Sequence, residues 1–130
     1  VIPKFFEQAL LNIPLTVYGN GNQTRDFTFI DDTIDATLII AEKCKGNGIF
    51  NIARGTDTTM NDLANEIIKI TGSKSTIKYE DAPFLRFDFD VDKRCGDSSK
   101  LKQLTGFKPN INLNEGLIKT LKYTKENEKI

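Results

Sequence analysis

The 130-residue chain contains no histidine, only two cysteines, four prolines, and no excess of either charge, since Lys plus Arg and Asp plus Glu each number 18. Without an imidazole there is no histidine general base, no Ser-His-Asp triad and no histidine-containing zinc site. Any chemistry here must use other groups. Cys44 and Cys95 are too few for a zinc cluster and too far apart for a C-x-x-C pair, and they make no disulfide framework, which favours a reducing cytoplasm. Balanced charge removes the attraction that non-specific nucleic-acid or anionic-lipid binding needs. No apolar run approaches the ~20 residues required to cross a bilayer. Neither nucleic acid nor membrane is expected as a partner. The opening run, Val1-Ile-Pro-Lys-Phe-Phe, has no initiator Met and no basic-then-apolar layout of a signal peptide, and reads as a chain entered midway.

What is present suits one folded α/β domain, because a chain of this length supplies one domain and its apolar residues recur at regular spacing. Pro3 to Leu11 predicts a short helix, with Phe5, Phe6, Ala9 and Leu10 at helical period. Leu15–Tyr18 and Arg25–Ile30 read as strands on either side of the turn-rich Gly19–Thr24 loop. Ile34, Leu38, Ile39 and Ala41 continue a helix opened by Asp31 and Asp32 and closed by Gly46. A compact strand is expected at Ile49–Ile52, and Thr58-Thr59 then precedes a helical stripe running from Met60 to Ile70. Strand then helix is the unit of α/β proteins. Thr76–Tyr79 predicts another strand, Ser98–Leu104 a short helix, and Asn112-x-x-Glu115 a cap for a final helix carrying Leu113, Leu117, Ile118 and Leu121. Residues 80–97 have no helical period, contain Pro83, and are too long for a passive connection.

Arginine is used four times against fourteen lysines, so its positions are informative. Arg25, Arg54, Arg86 and Arg94 all fall near expected loops or strand ends, and a planar fork that grips phosphate bidentately is what separates Arg from Lys. For Arg25, beside Asp26, a surface ion pair is an equal alternative on the residues alone. Gly19-x-Gly21 and Gly46-x-Gly48 lack the third glycine of a dinucleotide loop, since Thr24 and Asn51 stand there. No tyrosine has a lysine four residues on. Asp31-Asp32, opening an apolar-periodic helix, reads as capping charge rather than as a metal or acid/base pair. The sequence nominates no catalytic and no metal-binding residue.

Six short runs occur in a recognisable order: Val1-Ile-Pro-Lys-Phe, Leu15-Thr-Val-Tyr-Gly19, Gln23-Thr-Arg-Asp-Phe27 with Asp31-Asp32, Phe50-Asn-Ile52, Asp97-x-x-Lys100, and Leu104-x-Gly-Phe-x-Pro109 with Leu113-x-Glu-Gly-Leu117. Together they closely resemble, nearly end to end, the C-terminal half of extended short-chain dehydrogenase/reductases of the nucleotide-sugar epimerase and dehydratase type. The resemblance implies a small substrate-binding domain spanning 1–130, with short strands and packed helices, and with the Rossmann half that holds NAD and the catalytic Tyr-x-x-x-Lys absent. It further implies that Arg25 contacts the nucleotide phosphate, that Thr16 and Tyr18 lie at the base, and that Met60 packs beside it. Val1 falls where the family brings main chain near the base or sugar. In loop 80–97, Arg86 and Asp90 are the counterparts of a family Arg and acid that hold phosphate and ribose, although Phe87 to Phe89 depart from the pattern.

The expected function is therefore the nucleotide-sugar-binding half of an NAD-dependent nucleotide-sugar epimerase or dehydratase, UDP-glucose 4-epimerase-like, acting in carbohydrate metabolism. The expected substrate is UDP- or dTDP-linked, the partner is an N-terminal Rossmann half, and the complete enzyme is expected to be a cytoplasmic homodimer. The chain alone is expected to bind no NAD and to catalyse nothing. The competing reading is a stand-alone nucleotide-binding or interaction module. An exposed apolar face discriminates the two, because a half-enzyme carries one and a module closes its own core.

Overall fold

The computed structural model describes residues 1–81 and 91–127. Helix α1 (Ile2–Leu10) starts with Pro3 in its first turn, where a missing N–H leaves nothing unsatisfied, and its period carries Phe5, Phe6 and Ala9 inward. Strand β1 (Leu15–Tyr18) follows, with Leu15 and Val17 buried and Thr16 and Tyr18 half-buried on the other face. Strand β2 (Thr24–Asp26) leads through residues 27–29 into α2 (Ile30–Lys43), and β3 (Asp57–Thr59) leads directly into α3 (Met60–Thr71). Thr59 caps α3: its hydroxyl oxygen accepts from Asp62 N at 2.9 Å and its O–H donates to the Asp62 carboxylate at 2.7 Å. Strand β4 (Ile77–Glu80), the two-residue β5 (Lys93–Arg94), α4 (Ser99–Thr105) and α5 (Leu113–Asn127) complete the described chain. Asn112 caps α5 by accepting from Glu115 N at 2.9 Å.

The strands form two small sheets. β1 and β4 run parallel, from Leu15 opposite Ile77 to Tyr18 opposite Glu80. β2 is the middle strand of three, antiparallel to β3 and parallel to β5. One core joins α1, β1, α3 and α5 through Phe5, Phe6, Leu15, Val17, Leu63, Ile67 and Leu117. At about 1.5–3 kcal/mol per fully buried large side chain, this cluster is the main source of stability. The α/β class expected from the sequence is the class observed.

Four local expectations are corrected. Ile49–Ile52 joins no ladder among the described residues, and Ile49 is 85% exposed. A β-type run makes a strand only beside a backbone that takes its hydrogen bonds, and here the Ile49 carbonyl accepts instead from the side chain of Lys100 at 2.8 Å. The strand expected over Arg25–Ile30 stops at Asp26, because Ile30 already belongs to α2. Residues 80–97 are not loop throughout, since Glu80 closes β4 and Lys93–Arg94 pair with Thr24 and Arg25. Finally, Asp31 and Asp32 differ in kind. Asp31 is exposed in the first turn, whereas Asp32 is buried, 3% exposed, and accepts from the backbone N–H groups of Asn110 and Ile111 at 2.9 and 3.0 Å. It binds α2 to the approach of α5.

Candidate functional site

The cleft is assembled by three local devices. Val1, just before α1, and Lys4 and Phe5 in its first turns fall on one face, as i, i+3, i+4 spacing requires. β1 is held against it by Gln8, 9% exposed, whose amide oxygen accepts from Thr16 N at 3.2 Å and whose amide N–H donates to Thr16 Oγ1 at 3.1 Å. This pair fixes the position of the Thr16 hydroxyl. The Gly19–Thr24 loop is fastened to the start of α3, where Asn61 N donates to Gly21 O, Asn61 Nδ2 donates to Asn20 O, and Met60 N donates to Gln23 O. Gly21 has φ +74°, and a Cβ there would lie 2.1 Å from Asn61 Oδ1, so only glycine fits.

Val1, Thr16, Tyr18, Arg25 and Met60 line one cleft of about 290 Å³, together with Lys4, Phe5, Val17 and Gln23. Its apolar side is Phe5, Val17 and Met60, and its cationic side is Lys4 and Arg25. The Lys4 ammonium lies 5.2 Å from the centroid of the Tyr18 ring. Arg25 Nη1 donates to Thr24 O and Val91 O, both at 2.7 Å, which fixes its guanidinium against the β2–β5 edge. Such a surface suits a ligand with a planar half and an anionic half. Arg86 and Asp90 lie outside the described residues. Lys4, Gln8 and Gln23 were missed from sequence, although the helical spacing of Lys4 from Val1 was the available signal for the first.

Beyond Arg25 lies an open hollow, and beneath β2 the carboxylate of Asp26 ties three segments together, its Oδ2 accepting from Gly55 N at 2.8 Å and Gly96 N at 3.2 Å. Gly96 is obligatory there, because a Cβ would meet that of Ala53 at 2.2 Å. On the same sheet, Lys93 Nζ lies 2.8 Å from Asp57 Oδ2. That hydrogen-bonded ammonium holds the Asp57 carboxyl below the usual aspartate range, and Lys93 is raised in return. The stabilisation by Asp57 is present above the ordinary aspartate range and is lost as pH falls through its lowered midpoint, and at this exposed site it is small.

Desolvation first, and the Asp57 carboxylate second, raise the Cys95 thiol above its usual range. Asp57→Asn is expected to speed alkylation of Cys95 at neutral pH severalfold, because it removes the repelling carboxylate and releases Lys93. Peptide-level mass spectrometry after timed iodoacetamide treatment reads this, and an unchanged rate would refute it.

Beside Gly21 and Gly48 the space is taken by the Asn61 side chain and the Phe50 ring, whereas Gly19 and Gly46 face open space. Among the described residues there is no group of three metal-ligating side chains and no helix long and apolar enough to cross a membrane.

Residues 1–120 match the profile of the family described as GDP-mannose 4,6 dehydratase. The UDP-N-acetyl-alpha-D-glucosaminuronate decarboxylase of Bacillus cytotoxicus is 33% identical over 133 residues, covering 98% of this chain and 40% of that protein. UDP-glucose 4-epimerase of Thermotoga maritima, solved with UDP-glucose, superposes with a TM-score of 0.87 at 31% identity, over 98% of this chain and 40% of that one. A variant of UDP-glucuronic acid 4-epimerase from Bacillus cereus, in complex with UDP-4-deoxy-4-fluoro-glucuronic acid and NAD, gives 0.83 at 30% identity, over 96% and 39%. These relatives are nucleotide-sugar epimerases and decarboxylases, and this chain spans about two fifths of their length. With the family profile matched over nearly its whole length, the chain belongs to the NAD-dependent nucleotide-sugar epimerases and dehydratases of the extended short-chain dehydrogenase/reductase family.

Proposed function

We propose that this chain is the nucleotide-sugar-binding half of a UDP-glucose 4-epimerase-like enzyme, whose other half is a Rossmann domain carrying NAD and the catalytic tyrosine. The observation that carries the reading is the single cleft into which Val1, Thr16, Tyr18, Arg25 and Met60 are gathered from across sixty positions. The base lies against Met60 and Tyr18, the Thr16 hydroxyl held by Gln8 hydrogen-bonds its edge, and Arg25 takes phosphate. The chain's part in the reaction is to supply binding energy on the nucleotide and to orient the sugar toward the other half. It has no catalytic residue of its own and is inactive alone. The complete enzyme is a cytoplasmic homodimer acting in carbohydrate metabolism.

The exposed face of α2 supports this reading over a stand-alone module. Ile30, Ile34 and Leu38 recur every fourth residue and are 59%, 49% and 60% exposed. A domain that closed its own core would not hold such a stripe in water. Relatives named for UDP-sugars favour UDP over dTDP as the carrier.

Calorimetric titration of the chain with UDP-glucose, dTDP-glucose and NAD tests the proposal. Saturable binding of a nucleotide sugar without saturable binding of NAD is expected. A micromolar NAD site, or no binding of any nucleotide sugar at millimolar concentration, would overturn it.

A further inference from the structure

Two Gly-Asn-Gly runs, 19–21 and 46–48, have no part in ligand binding as proposed above. Each sets an asparagine directly before a glycine, the order in which backbone most readily attacks side chain, because glycine has no Cβ to hinder its own nitrogen. Asn20 and Asn47 are both exposed, so exposure does not separate them. Their surroundings do. Gly21 is buried and pinned by Asn61, whose backbone N–H donates to Gly21 O at 3.1 Å and whose Nδ2 donates to Asn20 O at 3.0 Å. The Asn20 carboxamide is itself held, its Oδ1 accepting from Asn22 N at 2.9 Å. The Tyr79 hydroxyl in turn donates to Asn61 Oδ1 at 3.1 Å, which anchors the clamp. At the second run Gly48 is exposed, and Gly46 has φ +94° with nothing within 4 Å of where a Cβ would stand. Among the described residues neither the Asn47 carboxamide nor the Gly48 N–H makes a hydrogen bond.

We propose that Asn47 is a self-modification site, converting to aspartate and isoaspartate, and that Asn61 protects Asn20 from the same reaction. The Gly48 nitrogen gives up its proton and attacks Cγ of Asn47. A C–N bond forms, the bond from Cγ to the amide nitrogen breaks, and that nitrogen leaves with the proton as ammonia. Water then adds to one of the two carbonyls of the resulting succinimide, its hydroxyl to carbon and its proton to nitrogen, and opens the ring to aspartate or isoaspartate. No oxidant or reductant takes part. Ring closure requires the carboxamide carbon to swing onto the glycine nitrogen and the peptide unit between them to turn. At 47–48 no hydrogen bond of the described residues opposes this. At 20–21 it is opposed by the two bonds from Asn61 and the one from Asn22. The clamp that shapes the loop beside the cleft thereby also preserves it chemically. The new carboxylate appears instead two residues before Ile49, whose carbonyl accepts from Lys100 Nζ at 2.8 Å.

The test incubates the full chain in neutral buffer and follows the two sites by mass spectrometry of tryptic peptides 5–25 and 46–54, which carry one site each. In the folded chain Asn47 is expected to convert at least about tenfold faster than Asn20, a margin that three opposing hydrogen bonds support. The same chain in urea is expected to convert both at similar rates, since only local sequence then acts. Asn61→Ala is expected to speed Asn20 by about 3- to 10-fold, the scale of one ordinary hydrogen bond, and to leave Asn47 unchanged. Tyr79→Phe, which only frees the Asn61 carboxamide, should move Asn20 in the same direction, and circular dichroism shows that both variants fold. Asn47→Gln is expected to abolish the conversion in 46–54, because the longer side chain closes a ring far more slowly. Conversion of Asn20 as fast as Asn47 in the folded chain, or none at Asn47, would overturn the proposal, and so would an Asn20 rate that neither variant moves.

Discussion

Replacing Arg25 by alanine in the complete enzyme is expected to weaken nucleotide-sugar binding by about 1.5–3 kcal/mol, or roughly 10- to 150-fold, the range for losing a hydrogen bond to a charged group. The guanidinium is already oriented by the carbonyls of Thr24 and Val91, so the ligand meets a fork in place. Arg25→Lys should recover only part of the loss, because the ammonium keeps the charge and lacks the planar fork. Titration calorimetry on the three proteins decides the matter. Equal affinities would mean that Arg25 only fastens β5 to β2.

The second large effect concerns stability. Asp32→Ala leaves the N–H groups of Asn110 and Ile111 without their acceptor in a part-buried setting. Two hydrogen bonds to a carboxylate, each contributing about 1.5–3 kcal/mol, put the expected loss at about 3 kcal/mol or more. Asp32→Asn keeps one acceptor oxygen and should lose about half as much. Urea denaturation reads the difference as a shift in midpoint at constant slope. A shift no larger than that of Asp31→Ala would show that Asp32 acts only as charge in the first helical turn.

The contrast between these two aspartates marks where sequence reasoning stops. α1, β1, α3 and α5 were legible because each combines an apolar period with a local start signal: Pro3, the alternation of Leu15 and Val17, Thr59 with Asp62, and Asn112 with Glu115. Those signals act within a few residues of chain. The partners of Asp32 lie 78 and 79 positions away, and nothing local announces them. β3 and β5 escaped notice for a related reason. Asp57-Thr-Thr and Lys93-Arg94 carry no apolar alternation, and they are strands only because β2 lies between them.

The candidate site shows the same division. Val1, Thr16, Tyr18, Arg25 and Met60 were named through a family resemblance, and their shared cleft is a property of the fold. Gln8 has no such signal. A buried glutamine on a helix reads as an anomaly until the backbone of Thr16 is seen beside it. Arg86 and Asp90 lie outside the described residues, so their place beside the cleft rests on the resemblance alone.

The middle position of β2 has a consequence for how a ligand is captured. A side chain on an edge strand or loop loses backbone freedom when it grips its ligand, and that loss is subtracted from affinity. Arg25 is flanked by hydrogen-bonded neighbours on both sides, Thr58 in β3 and Arg94 in β5. Its backbone entropy was surrendered when the chain folded. On the proposed reading, an arriving anion draws only on the last torsions of the side chain and meets a template rather than a hand that closes on it.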